Sequence, residues 1–189
     1  MPGHRFEAKH HKKLESSYRK KILPPAATLK KFGLKKGMNV ADIGAGSGYF
    51  LIPAARMIGQ EATAFGVDAS TEMLEIIRRR RHPSNVELVH TKDGYTVKIG
   101  SGSIDYVVVS SVLHESHPLR LLREIRRIMR SGATLLIIDW RKDSLRAGPP
   151  VEERLSPEQV RQLCGKSKLK SVRTTILNSR YYAVVAKKA

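Results

Sequence analysis

Between residues 38 and 139, short apolar runs alternate with helical segments, and this alternation restricts the chain to a parallel sheet whose connections cover its two faces. Strands are predicted over 38–43, 62–67, 86–90, 104–110 and 133–139. The last contains the unbroken apolar run Leu135–Ile138, as expected of a strand covered on both sides. Helices are expected over 49–58, ended by Gly59, and over 71–81, capped by Ser70 and stopped by His82–Pro83. Another runs from Pro118 to about residue 130, with Leu122, Ile125 and Met129 facing inward. A Gly/Pro linker over 146–150 precedes a capping box, Ser156–Gln159, that opens a further helix. Runs at 170–177 and 181–185 are joined only by Asn178–Arg180, so the last pair is an antiparallel hairpin. The expected fold is α/β: five βα-type units make a doubly wound, mostly parallel seven-stranded sheet closed by that C-terminal hairpin.

At 189 residues one domain is expected, and 41% apolar residues exclude disorder over most of the chain. No apolar run approaches the ~18 residues of a membrane span, and Met1–His10 lacks a signal peptide's apolar stretch, so a soluble, cytoplasmic protein is expected. The single cysteine, Cys164, excludes an internal disulfide and a Cys-rich zinc cluster. The formal net charge of +18 is unevenly spread. Residues 1–38 carry +9, residues 161–189 carry +8 with no acid among them, and everything between is nearly neutral. Within that middle, 39–77 is locally acidic: Asp42, Glu61, Asp68, Glu72 and Glu75 face the single base Arg56.

The chemistry concentrates in Asp42-Ile-Gly-Ala-Gly-Ser-Gly48, a glycine turn between a strand and a helix. Such a turn lets a ligand approach the backbone and offers it the helix's first amides, at the strand ends where open parallel sheets bind ligands. A dinucleotide fingerprint needs a third glycine where this chain has Tyr49. Asp42, two residues before Gly44, repels a phosphate and attracts an ammonium. Asp68 ends the second strand twenty residues beyond Gly48, where a carboxylate can accept both hydroxyls of a ribose. A ligand with a ribose, a cationic group and no phosphate fits better than NAD or ATP.

Val40–Gly48, Gly66–Ala69 and Ser103–His114 together resemble the motifs of the class I S-adenosylmethionine-dependent methyltransferases. The likeness runs over roughly residues 20 to 189 and is nearest the small single-domain branch typified by ubiquinone/menaquinone-biosynthesis enzymes. It implies S-adenosylmethionine as cofactor, with Gly44, Ala45, Gly46 and Gly48 under its methionine part and Asp42 near its amino group. Asp68 then holds the ribose, Ala69 and Met73 flank the adenine, Asp93 and Gly94 face its amino group, and Ser110 and Ser111 lie by the methionine end. The domain organisation implied is a basic N-terminal helical lid over 1–37, with Tyr18 and Arg19 nearest the ligand, and an S-adenosylmethionine-binding domain over 38–189. Lid helices are expected over 14–21 and 26–32.

Methyl transfer from a sulfonium needs a general base only when the acceptor must lose a proton. His114, just past the fourth strand, is the candidate catalytic residue, since its usual pKa of about 6.5 suits proton uptake near neutrality. Glu115, His117, Asp139 and Trp140 lie at neighbouring strand ends and can shape an acceptor pocket. The expected partner is a small-molecule methyl acceptor. Two alternatives stand beside it: an RNA-modifying methyltransferase whose basic termini, such as Lys9–Lys21 and Lys166–Arg173, hold nucleic acid, or a non-catalytic RNA-binding protein that keeps the fold. Ser110–Leu113 replaces an Asn-Pro-Pro-Tyr type tetrapeptide, which argues against amino-methyltransferases of DNA adenine or glutamine. His4, His10 and His11 lack metal-site spacing. The arginines at 78–81 and at 120, 123, 127 and 130 read as solvated helix charges, and no oligomeric state is specified.

Overall fold

The computed structural model describes residues 16–144 and 148–189; the expectations for His4, His10, His11, Lys9–Lys13, Leu14 and Arg146 lie outside them. Strands β1 (Val40–Ile43), β2 (Ala64–Asp68), β3 (Val86–His90), β4 (Ile104–Ser110) and β5 (Met129–Trp140) are parallel. Strand β7 (Tyr181–Lys188) is antiparallel both to β5 and to β6 (Leu169–Ile176). Their order in the sheet is β3-β2-β1-β4-β5-β7-β6. The order reverses between β1 and β4, so the crevice at their C-terminal ends is where this topology binds ligands.

Alternation along the strands sorts side chains to two faces. Val40, Tyr106, Val108, Leu136 and Ile138 join one buried cluster with residues of α2 (Pro25–Lys31), α3 (Leu51–Ile58) and α4 (Thr71–Arg79). Ala41, Ile43, Val107, Val109, Leu135 and Ile137 join the other, with α5 (Pro118–Ile128) and α6 (Pro157–Lys166). Ser70 caps α4 and Ser156–Gln159 makes the expected capping box. A short helix α1 (Ser17–Ile22) stops at Leu23 before the Pro24–Pro25 break. Among the described residues no helix is long and apolar enough to cross a membrane.

Three expectations are corrected. The third unit has no helix: residues 91–103 cross from β3 to β4 as a loop. Val97 and Ile99 bury themselves where a helix would pack, and Arg127 of α5 donates from Nη2 to their carbonyls at 2.8 and 2.9 Å while Glu124 accepts from the Val97 amide at 2.9 Å. Second, α5 ends at Ile128 and β5 begins at Met129, not Ala133, because buried Met129 pairs with Ile104 ahead of a register shift. Third, several arginines read as solvated have partners. Besides Arg127, Arg130 pairs with Asp105 at 2.5 Å, Arg120 lies over the Tyr95 ring, and Arg80 donates to the Ser47 carbonyl at 2.7 Å.

Candidate active site

The turn after β1 is held by its neighbours. The amides of Gly44 and Ala45 both donate to the Val67 carbonyl, at 2.8 and 3.0 Å, and Gly46 donates to Asp68 Oδ2 at 2.7 Å. Gly44 has φ +72°, and a Cβ there would lie 2.3 Å from Val112 Cγ2, so both conformation and space demand glycine. Asp68 Oδ1 also accepts from the Ser70 amide at 2.9 Å. The carboxylate therefore locks the turn to the start of α4, yet keeps lone pairs for further donors. Burial raises its pKa, and the amide hydrogen bonds oppose that rise.

Asp42 lies beneath the turn and is only 2% exposed. Burial foremost, then the nearby Asp68 charge, lifts its pKa to about 7, against the pull of the Leu51 amide and Arg19. A buried carboxylate this reluctant to ionise gains from an incoming cation. The donor set thus suits an ammonium-bearing ligand rather than a phosphate. Ser110, at the end of β4, accepts from Arg19 Nη2 at 3.4 Å. Ser111 sits at φ +59°, a left-handed conformation uncommon for serine, which turns the chain sharply away from the strand.

The structure brings Asp42, Gly44, Ala45, Gly46, Gly48, Asp68 and Ser110 to the strand ends, with Ala69 and the buried Met73 following Asp68 into α4. Asp93 and Gly94 stand in the turn after β3, where the Thr91 amide ties the loop to the Asp68 carbonyl at 3.0 Å. Asp93 spends its oxygens on that turn, accepting from the Tyr95 and Thr96 amides and both threonine hydroxyls, Thr91 and Thr96. These bonds hold its pKa below the usual range. The α1 segment crosses the same crevice. Tyr49 and Asn178 donate to the carbonyls of Leu23 and Ile22, at 2.8 and 2.7 Å, and the Arg19 guanidinium lies 4.4 Å from the Tyr49 ring centre.

On the other half of the crevice, His114 Nδ1 is 2.8 Å from Asp139 Oδ1 and Nε2 is 3.5 Å from Glu115 Oε1. Burial pulls the imidazole pKa down, but the hydrogen bonds and charges of Asp139 and Glu115 outweigh it and raise it to about 9. The His114 side chain is 1% exposed; that of Glu115 is 23% exposed. Trp140 packs on Tyr181 with ring centres 4.5 Å apart.

A family profile described as a methyltransferase domain matches residues 34–188. The chain belongs to this methyltransferase-domain family. A solved S-adenosylmethionine-dependent methyltransferase of Aquifex aeolicus is similar at 28% identity and TM-score 0.92, over 98% of this chain and 100% of that one. Demethylmenaquinone methyltransferases of Staphylococcus aureus and Listeria welshimeri are 28% and 32% identical over 119 and 116 residues, 62% and 59% of this chain. The chain spans about half or less of the length of the curated relatives it matches: 49% of those two and 32% of a 37.1 kDa protein of a Streptomyces fradiae transposon.

The sequence gives no sign of one further feature of this methyltransferase domain, the clamp on the segment after β5. Arg154 is buried and donates to the carbonyls of Arg141 at 2.7 Å, Pro149 at 2.8 and 3.0 Å, and Ser144. Gly148, at φ +102°, lies against Trp140, where a Cβ would come within 2.7 Å of the ring. The clamp's partners are backbone carbonyls, which no residue pattern marks. His90, whose Nε2 is 3.3 Å from the Ala69 carbonyl, is another polar group at the strand ends that spacing does not single out.

Proposed function

We propose that this chain is an S-adenosylmethionine-dependent methyltransferase acting on a small-molecule acceptor. The observation that carries the reading is the buried, cation-seeking Asp42 beneath a glycine turn locked by Asp68. Likeness over its whole length to the Aquifex aeolicus methyltransferase supports the cofactor, and the demethylmenaquinone methyltransferases support a small acceptor. In this reading Gly44, Ala45, Gly46 and Gly48 line the methionine part, Asp42 meets its ammonium, and Asp68 shares its remaining lone pairs with the ribose. Ala69 and Met73 flank the adenine, Ser110 lies by the methionine end, and Asp93 with Gly94 shapes the loop beside the base. The bound cofactor supplies a methyl group already activated by its sulfonium.

The chain's own work is alignment and exclusion of water, which α1 serves as a lid. His114, cationic at neutral pH and sealed from solvent, does not take the acceptor's proton in this reading. It acts as a positioning residue that fixes Glu115, whose more exposed carboxylate takes the proton where one must leave. The deciding experiment is calorimetry with S-adenosylmethionine, S-adenosylhomocysteine and NAD, followed by transfer of labelled methyl into extract with and without ribonuclease treatment. Binding of the first two alone, with label in a small-molecule fraction, is expected. NAD binding without any response to S-adenosylmethionine overturns the cofactor, and label confined to RNA overturns the acceptor.

A further inference from the structure

The outer part of the sheet carries a charge arrangement that the crevice does not use. In the β6–β7 hairpin Lys170 stands directly opposite Lys187, and like charges so placed destabilise a sheet. Tyr181, Ala183 and Val185 of β7 belong to the buried cluster beneath α2 and α3, so by alternation Lys187 points to that same face. Lys170, its cross-strand partner, shares the face, and so does Arg173, which pairs with Val185. The Arg173 guanidinium lies 4.9 Å from the centre of the Phe32 ring just beyond α2, and Lys31 Nζ lies 5.8 Å from the same ring. Lys31, Lys170, Arg173 and Lys187 are all exposed, and among the described residues none of them is in an ion pair. Residues 161–189 contain no acid that could neutralise them.

We propose that this face binds the phosphate backbone of a single-stranded polynucleotide. Three unneutralised cations on one face of a strand pair, with a fourth at the end of the neighbouring α2, match a chain of regularly spaced anions. A bilayer surface would instead require apolar side chains among the cations. Of the exposed apolar residues of β6, Ile176 pairs with Tyr182, which belongs to the opposite face, and this leaves at most Val172, at the register shift, beside the cations. Phe32 is buried beneath its two cations and offers no face for a base, so the contact is made to phosphates without choice of sequence.

The test is the full-length protein with a labelled, mixed-sequence single-stranded RNA of ~20 nucleotides, titrated at several salt concentrations. With up to four phosphates held, log affinity falls with log salt at a slope of about −3, or about 60-fold between 50 and 200 mM. Lys170→Glu turns a repelling cross-strand pair into an attracting one. It is expected to weaken RNA binding about fivefold or more and to lower the slope by about 0.7, while raising the thermal midpoint and leaving S-adenosylmethionine affinity unchanged. Lys187→Glu should behave in the same way, so opposite movement of stability and RNA affinity is read in two independent variants. RNA affinity unchanged in both variants, binding insensitive to salt, or binding to phosphatidylserine vesicles but not to RNA overturns the proposal.

Discussion

Asp42 is where a single residue's chemistry is most exposed to test. Its folded pKa, about 7, lies above the ordinary 3.8, so its contribution to stability is fully present below pH 4 and is lost as pH rises through 7. Asp42→Asn removes that loss. The cofactor-free variant is expected to be more stable than the parent at pH 8 by ~1–4 kcal/mol in urea unfolding, since each pKa unit is worth about 1.4 kcal/mol. An ammonium ligand demands the ionised form, so S-adenosylmethionine affinity should weaken by up to about tenfold per pH unit below 7, with a proton released on binding. Calorimetry in buffers of different ionisation enthalpy measures both effects. In the other half of the crevice, Glu115→Gln is expected to lower kcat by about 10²-fold or more with cofactor affinity intact, as loss of a proton acceptor does. His114→Asn should reduce kcat less than Glu115→Gln does, as loss of a positioning group rather than of the proton acceptor. A large loss in the histidine variant alone would return the base role to His114.

Two elements have separate consequences. The crossover from β3 to β4 is a loop pinned by α5, and Arg127 supplies two of its carbonyl partners and an ion pair to Glu124 at 2.7 Å. Arg127→Ala should cost about 1–2 kcal/mol of stability, discounted for the partial exposure of the side chain, and speed hydrogen exchange at Val97 more than in β4. As the proposed lid, the α1 segment is expected to bear on turnover rather than on folding. Removing residues 1–22 deletes no strand among the described residues and leaves Leu23 in place, so cooperative unfolding should persist. Cofactor release should quicken by about tenfold or more and turnover should be lost, because the crevice can no longer close over it. Unchanged turnover would show that α1 is no lid. Helix starts were legible where a cap or a proline marked them: Ser70, Ser156 and Pro118 start helices as expected, and β3 and β4 have their expected limits, whereas α4 ends at Arg79, short of the His82–Pro83 stop. The start of β5 was not legible, because the pairing of Met129 with Ile104 is a contact between strands distant in sequence.

For the whole molecule, a net charge of +18 with basic termini implies self-repulsion that salt relieves. Raising ionic strength from about 0.01 to 0.15 M shortens the screening length from ~30 to ~8 Å. The melting temperature should rise by about 2–5 °C, as scanning calorimetry would show, in line with a gain of ~1 kcal/mol in a chain of this length. The sequence by itself determined the α/β class, the antiparallel closure and the glycine turn with its two carboxylates, because each is written in local periodicity, connection length or residue type. Only the tertiary structure decided that Asp42 is sealed enough to resist ionisation, that His114 lies locked between Asp139 and Glu115, that Arg154 clamps the segment beside Trp140, and that Lys170 faces Lys187. Those properties come from burial and from pairings between distant strands, and both depend on the assembled fold rather than on any stretch of chain.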